Sequence, residues 1–109
     1  MKKLCVILGI AFLPLAVQAA DMDTAAANDL LKKNNCTKCH ALDKKKDGPA
    51  YKETAAKYKG KADGEEKVFK HVTTGPMVKG EDGTEEEHKK IKTSGDDETH
   101  ALVRWILAQ

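Results

Sequence analysis

The sequence predicts a small all-α domain of about four helices, and three observations carry that prediction. Four stretches place apolar residues at helical spacing, and each is bounded by a capping residue or a glycine. The chain has 109 residues, of which 1–19 read as an export signal, leaving 20–109 for a single domain. One strong turn signal, Asp82-Gly83, stands in a charged stretch, and no internal repeat or linker interrupts the remainder.

The export signal is read from its order of parts. Lys2 and Lys3 precede an apolar run from Leu4 to Leu13, followed by Pro14-Leu15-Ala16 and Val17-Gln18-Ala19. That run is too short to span a bilayer and ends in small residues, so cleavage near Ala19 is expected to release the mature chain into the periplasm. Cys5 leaves with the signal, and no later stretch is apolar enough for a membrane span.

In the mature chain, Asp23 and Thr24 are suited to cap a first helix running to about Asn34, with Ala26, Leu30 and Leu31 on one side. Gly48-Pro49 opens a second segment with proline at a first-turn position, an apolar side of Tyr51, Ala55 and Tyr58, and a stop at Gly60. A third runs from Asp63-Gly64 to Thr74-Gly75 and carries Val68, Phe69 and Val72. The last begins between Ser94 and Asp97. Its acidic first turn favours the positive end of a helix dipole, and Leu102, Val103, Trp105 and Ile106 supply a packing face. Residues 76–90 read as a short hairpin or a long loop. A two-residue turn at Asp82-Gly83 would pair Glu81 with Thr84 and set Met77 opposite His88.

The precursor carries 19 Lys+Arg against 17 Asp+Glu, and losing Lys2 and Lys3 leaves the two signs equal. Net charge therefore offers no basis for binding nucleic acid. The charges are unevenly spread, with 10 lysines against 6 acids in residues 20–61 and 7 basic against 11 acidic residues in 62–109. Halves lying on different faces would give the domain a dipole.

Two cysteines survive cleavage, in the run Cys36-Thr37-Lys38-Cys39-His40. In an exported chain, C-x-x-C-H is the attachment pattern of c-type haem: both thiols add to the porphyrin vinyl groups, and the adjacent histidine becomes the proximal iron ligand. Thiol–disulfide exchange at C-x-x-C would call for a βαβ framework, which the pattern lacks. A zinc site would call for a second close ligand pair, whereas His71, His88 and His100 lie far apart. Only Tyr51, Tyr58, Phe69 and Trp105 are aromatic in the mature chain, so a covalent porphyrin would supply apolar volume that a thin core lacks.

With these residues the chain resembles the class I cytochromes c, in particular the small bacterial single-haem electron carriers. The resemblance is carried by Cys36 to Leu42, by Gly48-Pro49-Ala50-Tyr51, and by Asp96 to Gln109 with Trp105 in the final helix. It implies a cytochrome c fold, about four helices wrapped around one covalently attached haem c, with the first and last helices crossing beside it. It also implies that the Pro49 carbonyl accepts a hydrogen bond from the second ring nitrogen of His40, and that His71 contacts a haem propionate. Two residues compete for the sixth iron position. His88 stands nearer the family's usual distance from the last helix and is preferred, while Met77 keeps a Gly-Pro-Met run as the alternative. His100 is expected to be a surface or partly packed residue.

The function implied is that of a periplasmic single-electron carrier cycling between Fe3+ and Fe2+, not an enzyme. Lys33, Lys38 and Lys44 to Lys46 flank the attachment region, so transient redox protein partners are expected to dock at a lysine-flanked haem edge. The alternatives are a haem-based gas-binding or sensing module with a labile sixth ligand, or a small cytochrome subunit of a larger redox enzyme.

Overall fold

The computed structural model describes residues 21–109, so the expected export signal lies outside the described residues. Four helices appear where the spacing predicts them: α1 (Thr24–Lys33), α2 (Tyr51–Tyr58), α3 (Gly64–Thr74) and α4 (Asp96–Leu107). A 3-10 turn, Cys36–Lys38, follows α1, and a hairpin of β1 (Met77–Lys79) and β2 (Glu85–Glu87) joins α3 to α4. No described helix is long and apolar enough to cross a membrane.

Each helix begins for a local reason. At α1 the Asp23 carboxylate accepts the Ala26 N–H at 2.8 Å, satisfying one of the donors that a helix start leaves open. Helix α2 starts later than its proline suggests. Ala50 is the cap residue, and its N–H donates to the Glu53 carboxylate at 2.9 Å. Pro49 therefore precedes the helix instead of occupying its first turn, leaving its carbonyl to a side chain described below. At α4, Asp96, Asp97 and Glu98 fill the first turn, and Glu98 accepts the Ser94 N–H at 2.7 Å.

The core forms along α4. Ala27 and Leu31 of α1, Tyr51 of α2, and Leu102 and Ile106 of α4 make one buried cluster, with Met22, Leu30, Cys36, Ile91 and Trp105 packed against it. The buried positions of α1 are Ala27 and Leu31, one helical turn apart, while Ala26 faces solvent. Helix α3 is clamped to α4 by one carboxylate oxygen. Glu65 Oε1 accepts from Arg104 at 2.9 Å and lies 2.9 Å from His100 Nδ1, while the His100 ring lies flat on Phe69 with centroids 4.0 Å apart. His100 is thus partly packed, as expected.

The hairpin exists, but its register differs from the expected one. Met77 pairs with Glu87, Val78 with Glu86 and Lys79 with Glu85, so Met77 is not opposite His88. A two-residue turn at Asp82-Gly83 would need positive φ at both residues. Among the described residues only Asn35 is a non-glycine with positive φ, so Asp82 does not adopt it. Instead the Gly80 N–H bonds to the Thr84 carbonyl at 2.9 Å, Gly83 closes back on Gly80 at 3.1 Å, and Asp82 accepts the Thr84 N–H at 2.9 Å. Gly83, at φ 84°, absorbs the extra loop residue and moves the pairing by one.

Candidate haem site

Residues 34–49 build the proximal side. Asn35 takes a left-handed turn after α1, at φ 56°, and sends the chain into the Cys36–Lys38 turn. The Cys39 and His40 N–H groups both donate to the Cys36 carbonyl, at 3.2 and 3.0 Å. Cys36 packs against the core cluster, and burial pushes its thiol pKa up, with Lys89 acting in the opposite direction. A thiol held protonated is not the low-pKa thiolate that redox exchange uses.

His40 is held on two sides. Its Nδ1 donates to the Pro49 carbonyl at 2.7 Å. A carbonyl can only accept, so the proton is on Nδ1 and the Nε2 lone pair is left for a metal. Below the ring lies Gly48, where a Cβ would run into Cε1 and stand 2.8 Å from Nδ1. The loop between them is tied by the Gly48 N–H to the Cys39 carbonyl at 2.8 Å, by the Tyr51 N–H to the Ala41 carbonyl at 3.0 Å, and by a bridge between His40 and Lys45.

The distal side comes from the segment after the hairpin. The His88 N–H donates to the Pro76 carbonyl at 2.9 Å, and Ile91 bonds back to the Val72 carbonyl at 2.8 Å. Asn34, at the end of α1, grips the same segment with both ends of its amide: it donates to the Lys92 carbonyl at 3.0 Å and accepts the Lys92 N–H at 2.7 Å. The His88 ring stands 6.2 Å from that of His40, tilted by 49°. Its Nδ1 donates to the Lys89 carbonyl at 2.9 Å, which again frees Nε2. His71, exposed at the end of α3, lies edge-on to His88 with centroids 4.5 Å apart. Desolvation is the main cause lowering the pKa of both His71 and His88, and for His88 the hydrogen bond to the Lys89 carbonyl acts in the opposite direction. Both rings therefore favour the neutral form, which for His88 is the form that binds metal.

Of the residues expected from sequence, Cys36, Cys39, His40 and Pro49 belong to the proximal segment and His88 to the distal one, while His71 of α3 lies against the His88 ring. Met77 does not join them so closely: it is 64% exposed on β1, with Glu87 as its strand partner. Three contributors were not singled out from sequence. Gly48 lies under the proximal ring, Asn34 ties down the distal segment, and Gly75 caps α3 at φ 64° with the His88 carbonyl 2.6 Å from where its Cβ would be. The Gly48-Pro49 pair carried a signal for the first of these, whereas Asn34 acts across 58 residues.

The donor set suits an iron porphyrin. Two imidazoles on opposite faces of one metal, at about 2 Å per bond, put their ring centres about 6 Å apart, which is the separation seen here. Each ring is oriented by a second-nitrogen hydrogen bond to a backbone carbonyl, and Gly48 leaves room where any side chain would displace His40.

Comparison with known proteins agrees with this arrangement. The family model described as cytochrome c matches residues 24–109, and the chain belongs to the cytochrome c family. It is similar to cytochrome c-551 of Pseudomonas aeruginosa, at 36% identity over 88 residues, covering 73% of either chain. Among solved structures it is similar to the class 1 cytochrome MtoD from Sideroxydans lithotrophicus ES-1, at 53% identity and a TM-score of 0.74, covering 79% of this chain and 95% of that one. Cytochrome c552 of Nitrosomonas europaea is also similar, at 36% identity and a TM-score of 0.57, covering 73% and 95%. The chain is thus a small bacterial class I cytochrome c with one covalently attached haem c, a haem-based electron carrier.

Proposed function

We propose that this is an exported, periplasmic one-electron carrier, not an enzyme, whose haem iron would be held by His40 and His88. The observation that carries the reading is the pair of neighbouring imidazoles, with ring centroids 6.2 Å apart and planes tilted by 49°, each with Nδ1 bound to a backbone carbonyl so that Nε2 is left for a metal. Haem bound through Cys36 and Cys39 supplies the Fe3+/Fe2+ exchange. The chain holds and orients the two donors, and Gly48 and Tyr51 pack against the proximal ring. His40 and His88 would hold the iron between them, each through the ring nitrogen that its backbone hydrogen bond leaves free. Imidazole at the sixth position favours ferric iron more than a thioether does, so the potential is set low for this family.

His71 is proposed to face a haem propionate, supported by its place at the end of α3 beside His88. Lys33, Lys38, Lys44 and Lys45 are exposed near the attachment turn and suit transient docking of an acidic redox partner. Lys46 is less available, because its ammonium donates to the Thr37 carbonyl at 2.8 Å.

The ligand assignment is tested by His88→Ala and Met77→Ala. His88→Ala should turn the ferric haem high-spin and open the ferrous haem to carbon monoxide, while Met77→Ala keeps the low-spin parent spectrum. The parent should also lack the weak long-wavelength charge-transfer band of thioether-ligated ferric haem. The opposite pattern assigns the position to Met77.

A further inference from the structure

His40 does not stand alone on its inner side. Its ring stacks on Tyr51 with centroids 5.6 Å apart and planes within 24°, and Tyr51 meets Trp105 edge-on at 6.2 Å and 72°. Both separations fall in the range of favourable aromatic contact. Trp105 is partly exposed, and its indole N–H donates to Thr24 Oγ1 at 3.3 Å in a solvent-exposed hydrogen bond at the start of α1. Three rings thus run in series from the attachment loop, through α2 and α4, to a surface made by α1 and α4. The lysines proposed for docking at the haem edge lie mainly on a different segment, the loop that follows His40.

Electronic coupling decays exponentially with the distance an electron crosses, and a series of π systems in contact decays more gently than aliphatic packing of the same depth. We infer that His40, Tyr51 and Trp105 form a second electron-transfer route, joining the iron to a one-electron acceptor protein seated against Trp105. This rests on His40 being an iron ligand. One electron leaves ferrous iron and reduces the acceptor, the iron ends ferric, and no bond or proton moves. Tyr51 acts by coupling and is not itself oxidised. Its hydroxyl is buried with no hydrogen-bond partner among the described residues, so no base of the described chain stands ready to take the proton that an oxidised phenol must release. Burial also raises the pKa of that phenol, keeping it protonated.

The test uses the holoprotein, in which both native thiols are committed to haem, so an added cysteine is the only free thiol. A ruthenium polypyridyl photo-oxidant is attached at Asp21→Cys, next to Met22, which packs against the same cluster as Trp105. A reference label goes on Asp43→Cys, in the loop after His40. Transient absorption then follows oxidation of ferrous haem by the flash-quenched label. From Asp21→Cys, Trp105→Leu should slow the transfer several-fold and Trp105→Phe should recover most of the loss, while the rate from Asp43→Cys stays the same. An unchanged rate from Asp21→Cys in Trp105→Leu overturns the route, as does equal slowing from both labels. Failure of the His40 reading is distinguishable, because loss of that ligand appears as a high-spin ferric spectrum in the parent before any label is attached, whereas Met77 in place of His88 appears as the charge-transfer band and leaves the route from His40 as it is.

Discussion

Gly48 and Pro49 show how much of the site rests on two backbone atoms. Pro49 offers its carbonyl because the helix begins after it, and Gly48 lets the imidazole lie against the main chain. Gly48→Ala meets no problem of backbone conformation, since its φ is not in the left-handed region. The problem is a methyl group where His40 Cε1 sits, and overpacking of this kind costs about 1–3 kcal/mol. Denaturant unfolding of the holoprotein should show a loss of that size, with His40 leaving the iron at a higher pH during acid titration than in the parent. A variant matching the parent on both counts would show that the ring is not fixed by this contact. The motif made His40 and Pro49 legible, because C-x-x-C-H and Gly-Pro have chemical meanings of their own. The same sequence did not show that the glycine lies under the ring.

His71 carries a second prediction at this scale. Reduction adds an electron near the ring, stabilises its imidazolium and raises its pKa, so the potential falls as pH rises between the ferric-state and ferrous-state values. The slope is at most about 59 mV per pH unit for one electron. Desolvation first, then His88, His40 and Lys57, holds His71 below the usual histidine value of 6.5. A facing propionate acts the other way and raises it, so the sloping window lies between the ferric-state and ferrous-state values that this balance sets, with a flat potential on either side. Redox titration of the parent and His71→Gln from about pH 4 to pH 8 checks this. Superimposable profiles would remove His71 from the redox chemistry.

Among the elements, the helices were legible and the distal segment was not. Periodic apolar residues with caps and breakers located all four helices, because those signals are local. The hairpin was legible in position only. Its register depended on whether Asp82 would take positive φ, and the side-chain bond to the Thr84 N–H stabilises a different turn. Asn34 was invisible for the complementary reason: its partner is the backbone of Lys92, and a backbone group leaves no trace in residue pattern. Asn34→Ala removes three hydrogen bonds at once, two to the Lys92 backbone and one to the Leu30 carbonyl, each of typical worth about 0.5–1.5 kcal/mol. Stability should drop by about 1.5–4 kcal/mol. Because the lost bonds to Lys92 anchor the segment bearing His88, added imidazole or cyanide should also replace the distal ligand faster in ferric protein. If ligand replacement keeps the parent rate while stability falls, the Asn34 clamp supports the fold without restraining His88.

At the scale of the whole molecule, the charge pattern gave a partial view and the thin core a fuller one. The basic and acidic halves do not separate cleanly, since Lys45 of the first lies 3.7 Å from Glu81 of the second on an exposed surface. An exposed pair like this contributes little to stability, so the fold has to be held by apolar contact. Nine hydrophobic residues are buried among those described, and three of them, Ala27, Ala50 and Ala55, bury little side chain. A chain this small buries too little surface of its own for a secure fold, and covalently held haem adds a large apolar body between the proximal and distal segments. Group attachment should therefore be coupled to folding. In Cys36→Ser/Cys39→Ser, both thioethers are lost while the helices keep every cap and every apolar face. That variant should carry no covalent haem after acid-acetone extraction. Purified without haem, it should lose most of its far-ultraviolet helical signal and unfold without a cooperative transition. A haem-free variant that keeps the parent's helical signal and melts cooperatively would show that α1, α2, α3 and α4 hold together through Leu31, Leu102, Val103 and Ile106 alone.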